Sequence, residues 1–249
     1  IGSVTAIFSL VNGILLRPLP FPDPDQLVTV GDQIRGMNWD STADGPVSPP
    51  EIRSYTQETH SFSALGGYTE EDLELSGSGR PARLQAARMT PGAFAALGVA
   101  PVFGRVFTQQ EDEQDVPVVL LSYAIWRDQF GGQRNVLGKK ILLNRKPYTV
   151  IGVMPKSFDF PIAEGIFSRC MLWVPMSFTA EERRPDAAGD WAFAMVGRLK
   201  PGVSLEQAHA DAERVAQIDM RRLPADLSTF EFRAVVRPLR GVTVRNAQP

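Results

Sequence analysis

Apolar and small uncharged residues fill the first sixteen positions, Ile1 to Leu16, and the run ends at Arg17. A complete membrane span needs about 20 apolar residues, and a signal peptide needs a basic flank before its apolar stretch. The segment 1–16 therefore fits either an apolar core helix or the C-terminal part of a transmembrane helix with Arg17 at the water interface. Pro18, Pro20, Pro22 and Pro24 cannot continue a helix, so 17–26 is an extended connector. Leu27 to Val30 follows as a short buried strand, then a polar loop with Gly36, Asn38, Asp40 and Gly45. Ser48-Pro49-Pro50-Glu51 has the form of a capping box with proline in the first turn, which predicts a helix to about Thr59. Ile52 and Tyr55 face its core side, and Phe62 and Leu65 open the next extended stretch.

A second unit of this kind lies near the other end. Trp191 to Leu199 is strand-like, Lys200-Pro201-Gly202 turns, and Ser204 with Gln207 is another capping box, opening an amphipathic helix of about 18 residues. Leu205, Ala208, Ala212, Val215 and Ile218 share one face, with Glu206, Asp211, Glu213 and Arg214 largely off it. Phe230 to Arg237 then alternates partly with period two, as a half-buried strand does. Two strand-helix-strand units can lie on one sheet, leaving about 120 residues between them as an inserted domain.

That middle is rich in β signals. Leu84 to Arg88 is strand-like, Thr90-Pro91-Gly92 starts a short helix that Gly98 stops, and Val116 to Leu121 is a buried strand. Ser122 caps a helix through Phe130, closed by Gly131-Gly132. Lys140 to Asn144 and Tyr148 to Met154 flank Arg145-Lys146-Pro147 as a hairpin. The fold class is α+β, divided at 27–68, 69–187 and 188–240.

Composition removes several function classes. A net charge of −2, from 26 Lys and Arg against 28 Asp and Glu, supplies no basic surface for a phosphate backbone, so nucleic acid is not a partner. Hydrophobic content of 43% with 22% charged residues argues against disorder and against a mostly membrane-embedded protein. Cys170 alone excludes an intrachain disulfide framework, and His60 and His209 are too few for multi-histidine metal sites.

No pattern of catalytic residues emerges. Gly132 to Lys140 has five residues between its glycines where a phosphate loop has four, and Lys140 where a Ser or Thr would hold magnesium. His60 and His209 fit surface positions, and Cys170 in its apolar-leaning run fits a buried inert thiol better than a nucleophile. Glu70-Glu71-Asp72-Leu73-Glu74 and Glu111-Asp112-Glu113-Gln114-Asp115 lack the ligand spacing of a calcium loop and fit solvated turns. Trp39, Trp126, Trp173 and Trp191 fit scattered core or interface positions. Catalytic, cofactor and metal sites are accordingly expected to be none.

Taken in order, these segments resemble the MacB-like periplasmic core domain of ABC transporter permeases of the FtsX/MacB type, over nearly the whole chain. The resemblance is carried by 5–12 through Leu16-Arg17-Pro18-Leu19-Pro20, by 22–28, by Val47-Ser48-Pro49-Pro50, and by Leu97-Gly98-Val99 with Pro101 and Gly104-Arg105. It continues in Leu121-Ser122 with Trp126 and Phe130-Gly131-Gly132, in 148–155, in Leu172-Trp173-Val174-Pro175 and in 196–203. The hairpin departs from the pattern, since Arg145-Lys146 stands where Gly often follows the turn residue.

The resemblance implies a domain lying between two transmembrane helices at the bacterial inner membrane and facing the periplasm, with 241–249 leading into the second helix. The flanking units would form a porter-like subdomain and 69–187 the inserted one. Such a domain carries out no chemistry: it relays motion driven by a cytoplasmic ABC ATPase subunit, meets a second permease protomer, and contacts cargo or a periplasmic adaptor. Two other readings fit the same residues, an extracytoplasmic sensor or binding module without transport activity, and a secreted hydrolase with an unrecognised site.

Overall fold

In the computed structural model the described residues are 19–35, 45–77, 81–160, 170–221, 223 and 231–240. The expected transmembrane ends, 1–16 and 241–249, and Trp39 lie outside them. No helix among the described residues is long and apolar enough to cross a membrane.

The local signals set most elements. Strand β1 runs over Leu27–Arg35, beyond the expected Val30, because it pairs along nearly its whole length, from Val28 opposite Pro238 to Arg35 opposite Glu231. Helix α1 covers Pro49–Glu58, where the backbone N–H and the hydroxyl of Ser48 both donate to Glu51 Oε2, at 2.6 and 2.7 Å. Strand β2, Phe62–Ser76, is the longest element of the sheet at 15 residues. Then come β3 (Ala82–Met89), α2 (Pro91–Leu97, ended by Gly98 at φ 67°), β4 (Phe103–Gly104), α3 (Gln109–Glu113) and β5 (Val118–Leu121). Helix α4 covers Tyr123–Phe130, with the Ser122 hydroxyl accepting from the Ile125 N–H at 3.2 Å.

Strands β6 (Lys140–Leu143) and β7 (Lys146–Val153) form the expected hairpin through a tighter connection than Arg145-Lys146-Pro147. Its two loop residues, Asn144 and Arg145, have φ of 47° and 66°, the left-handed pair of a type I′ turn. Strand β8 is Leu172–Pro175 and β9 is Ala194–Leu199. The start of β9 corrects the expected Trp191, for Phe193 makes only a bridge to Val47. Helix α5, Leu205–Met220, and strand β10, Glu231–Pro238, are the last elements among the described residues.

Among the described residues ten strands join one mixed sheet, nine of them in the order β10-β1-β9-β2-β3-β8-β5-β7-β4 with β6 off this path. Strand β1 sits between β10 and β9, with Val30 opposite both Val236 and Met195, so segments from the two ends of the chain are hydrogen-bonded neighbours. Strand β6 pairs with both β2 and β7, so β2, β3, β8, β5, β7 and β6 close a ring. Closure rests on two residue pairs, Leu75 with Leu143 and Ser76 with Leu142. The first part of β2 pairs with β9 and its second part with β3. One continuous strand therefore serves both sides of the 68/69 division.

Three large apolar clusters among the described residues hold these layers. Ile52 and Tyr55 of α1 and Ala208, Ala212 and Val215 of α5 pack on Val28, Val30, Met195 and Val236. Leu73, Leu75, Leu121, Ile141 and Leu143 of the ring strands pack with Ile125 of α4. Phe94, Phe107, Phe158, Phe160 and Trp173 make an aromatic cluster that takes in Phe21 from the connector, where ring edges meet faces, Phe158 to Trp173 at 5.0 Å. Burial of each Val, Leu, Ile, Met or Phe among them stabilises the fold by about 1.5–3 kcal/mol.

The polar side of α5 is not simply solvated. Asp211 accepts the backbone N–H groups of His60 and Ser61 at 2.6 and 2.8 Å, and Glu213 accepts the N–H of Ala234 at 2.8 Å. The second contact occupies a donor on the outermost strand, β10, a group that would otherwise be open to pairing with another chain.

Candidate functional site

A cleft of about 410 Å³ lies between α1 on one side and α3 with the 178–183 loop on the other. Ile52, Leu65 and Phe178 supply apolar lining, Arg53 and Arg183 cationic groups, and Asp112 an acid. A volume of this size matches small-ligand clefts. Its floor depends on a close backbone approach: a Cβ on Gly66 would stand 2.2 Å from the Ala93 nitrogen, and one on Gly92 2.2 Å from the Leu65 oxygen. Only glycine at both positions lets α2 settle against β2.

The α3 wall is pinned by Arg88 of β3. Its guanidinium grips Glu182 through two bonds of 2.8 and 2.7 Å and also donates to the Met176 carbonyl at 2.9 and 2.6 Å. Asp112 Oδ1 accepts the Ser177 N–H at 2.7 Å, and burial pushes this carboxyl up to about 6. Burial also raises Glu71, opposed by the nearby charge of Arg88.

On its other face α1 covers a buried acidic group. The Tyr55 hydroxyl donates to Asp32 Oδ1 at 2.6 Å, and Ser54 donates to Asp219 Oδ1 at 2.9 Å. Asp32 is 2% exposed, and its Oδ2 has no hydrogen-bond partner among the described residues. Burial first, and the charge of Glu51 second, raise Asp32 well above the usual carboxylate range. Burial brings Glu51 up to about 7.

The residues that the sequence singles out are not brought together. His60 and His209 are exposed. Cys170 is buried, with its thiol 3.1 Å from the Leu172 carbonyl, and burial pushes that thiol far above its ordinary range. Trp173 is fully buried and donates to the Phe160 carbonyl at 2.7 Å, while half-buried Trp126 donates to the Gln133 carbonyl at 3.0 Å. The Gly132–Lys140 segment contains a short 3-10 turn at Arg134–Val136 and feeds β6. Among the described residues no three His, Cys, Asp or Glu are grouped to hold a metal ion.

Two expectations need correction. Glu70 to Glu74 is not a turn but the middle of β2, where Glu70, Asp72 and Glu74 point outward and Leu73 inward. Glu111 to Asp115 is not a loop cluster either, since Glu111 closes the Thr108 capping box of α3 and Asp112 is buried. The importance of Asp32 escaped the sequence reading. A signal was present, because it follows Val28 and Val30 at alternate positions of one strand and so shares their core-facing side.

Comparison with known proteins follows the same map. The profile described as MacB-like periplasmic core domain matches residues 1–215. Macrolide export ATP-binding/permease protein MacB of Nitrosomonas europaea is 43% identical over 51 residues, 20% of this chain and 8% of that protein. The matched part is thus a small fraction of that relative's length. Among solved structures, a domain of a putative permease protein from Porphyromonas gingivalis superposes with a TM-score of 0.62 at 18% identity, covering 92% of this chain and 100% of that one. The periplasmic region of MacB from Actinobacillus actinomycetemcomitans gives 0.59 at 15% identity, over 88% and 92%. At these identities the two structures share the fold.

Proposed function

The chain belongs to the MacB-like periplasmic core domain family, and from that premise we propose that it is the periplasm-facing domain of an ABC-type permease at the inner membrane, relaying motion driven by a cytoplasmic ATPase and contacting cargo or a periplasmic partner. The match over residues 1–215 carries this reading. The arrangement of the ends supports it: β1 and β10 are paired, and Arg240 lies 3.6 Å from Asp25, so the chain enters and leaves the domain at one place. A domain inserted between two membrane helices requires that closeness. The paired end segments, 27–68 and 188–240, form the porter-like unit, and 69–187 the inserted unit, with the cleft at their junction. A second permease protomer completes the transporter.

The work assigned to the domain is mechanical, so no imidazole or thiol takes part in it. In the full-length permease, reconstituted with its ATPase, replacing His60, His209 and Cys170 together by Ala leaves transport nearly unchanged. In that background, cysteines at Arg53 and Gln109 on opposite walls of the cleft, joined by a bifunctional thiol reagent, stop transport, and cutting a cleavable linker restores it. Loss of transport in the triple variant despite normal folding, or full transport with the walls tied, overturns the reading. Hydrolysis by the isolated domain would instead identify an enzyme.

A further inference from the structure

We propose that Asp32, Glu51, Tyr55 and Asp219 form a proton-operated latch for α1, closed while the group carries protons and loosened when it is fully ionised. The geometry places the latch across three elements. Asp32 projects from β1, Glu51 and Tyr55 from α1, and Asp219 from the last turn of α5. Tyr55 bonds Asp32 and Ser54 bonds Asp219, so α1 is tied to both of its supports through carboxylates. The buried, unpartnered Oδ2 of Asp32 is the place where a proton can be held.

Among the described residues, the groups around Asp32 and Glu51 are apolar, neutral or acidic. From β10, Phe232 and Ala234 bring apolar side chains, and Glu213 of α5 adds a further negative charge while held on the Ala234 N–H. Ser48 contributes neutral donors to Glu51, its N–H and its hydroxyl. The groups acting most strongly on Asp32, Glu51 and Tyr55 are one another, Asp219, Glu213, Ser48 and Trp191, and none of them is a cation. Carboxyls brought together in this way share protons and titrate as a unit.

Helix α1 has two working faces. Glu51 and Tyr55 face the latch, whereas Ile52, Arg53 and Thr56 line the cleft. Loosening the latch therefore moves a wall of the cleft. That consequence rests on the proposed role of the cleft, but the latch itself does not.

The sign follows from proton linkage. Carboxyls raised in the folded state bind protons that the unfolded chain has released, so stability is greatest in acid and declines as pH rises from about 4.5 through about 7. The test uses the whole chain and needs neither cargo nor ATPase. Melting of the wild type is expected to fall by roughly 5 °C or more between pH 5 and pH 8, and Asp32→Asn, which keeps the acceptor for Tyr55, to flatten that fall. At pH 8 the amides of 51–58 exchange about tenfold faster in the wild type than in Asp32→Asn, and at pH 5 equally.

Glu51→Gln provides the same comparison if the first variant folds poorly. A wild-type melting temperature that is constant or rises over this window, an undiminished slope in both variants, or equal α1 exchange at pH 8 overturns the latch. Unchanged transport in Asp32→Asn with these readouts intact would count against the cleft reading instead.

Discussion

Arg88 and Glu182, 94 positions apart, meet in a two-bond ion pair whose side chains are only 17% and 13% exposed. The pair ties β3 to the 176–182 loop and so fixes the wall that carries Phe178. Removing one member leaves a partly buried carboxylate without its partner, a costly state. Arg88→Met is expected to lower stability by about 2–3 kcal/mol in urea unfolding, while the double variant Arg88→Met with Glu182→Gln recovers part of that loss. Equal loss in single and double variants would show that the ion pair is not the source.

At the β6–β7 turn, Arg145 holds φ at 66°, a conformation that costs a side chain about 1–2 kcal/mol and glycine nothing. After allowing for glycine's greater freedom in the unfolded chain, Arg145→Gly is expected to stabilise the protein by about 0.5–1 kcal/mol. Thermal denaturation measures this, and a lower melting temperature would refute it.

Gly66 contributes no such strain but leaves room. Its Cβ would meet backbone and the Thr90 hydroxyl at 2.2 and 2.3 Å, and backbone cannot rotate aside. Gly66→Ala is expected to cost at least about 2 kcal/mol and to displace α2. A crystal structure with α2 unmoved at unchanged stability would contradict it.

Tyr55→Phe removes the hydroxyl that supports the Asp32 carboxylate and raises that carboxyl further. The charged form loses most, so the loss should be about 1.5–3 kcal/mol at pH 8 and smaller at pH 5. Urea melts at the two pH values check the order; a larger loss at pH 5 is the opposite result.

What could be foreseen in the chain was governed by distance along it. Ser48, Thr90, Ser122 and Ser204 precede helices, and Gly98 and Gly131 end them at positive φ, because capping and left-handed termination depend on residues a few positions apart. Glu70 to Glu74 misled for the converse reason. Acidic residues suggest a turn, yet their alternate positions face outward on a strand held by β3 and β6, which are remote signals. Ring closure through Leu75 and Ser76 has no local signature at all. The carboxyl latch was hidden by dispersion, since Asp32, Glu51 and Asp219 belong to three segments that each look ordinary alone.

Strand β2 passes from the part of the sheet that holds the paired chain ends into the ring without a loop, over 15 residues or about 50 Å when extended. A hinge at this crossing finds no slack in β2, because the strand is hydrogen-bonded to β9 at one end and to β3 at the other. Under the proposed mechanical role the strand would act as a lever arm, carrying torque from the paired chain ends into the ring as rotation and twist of the sheet.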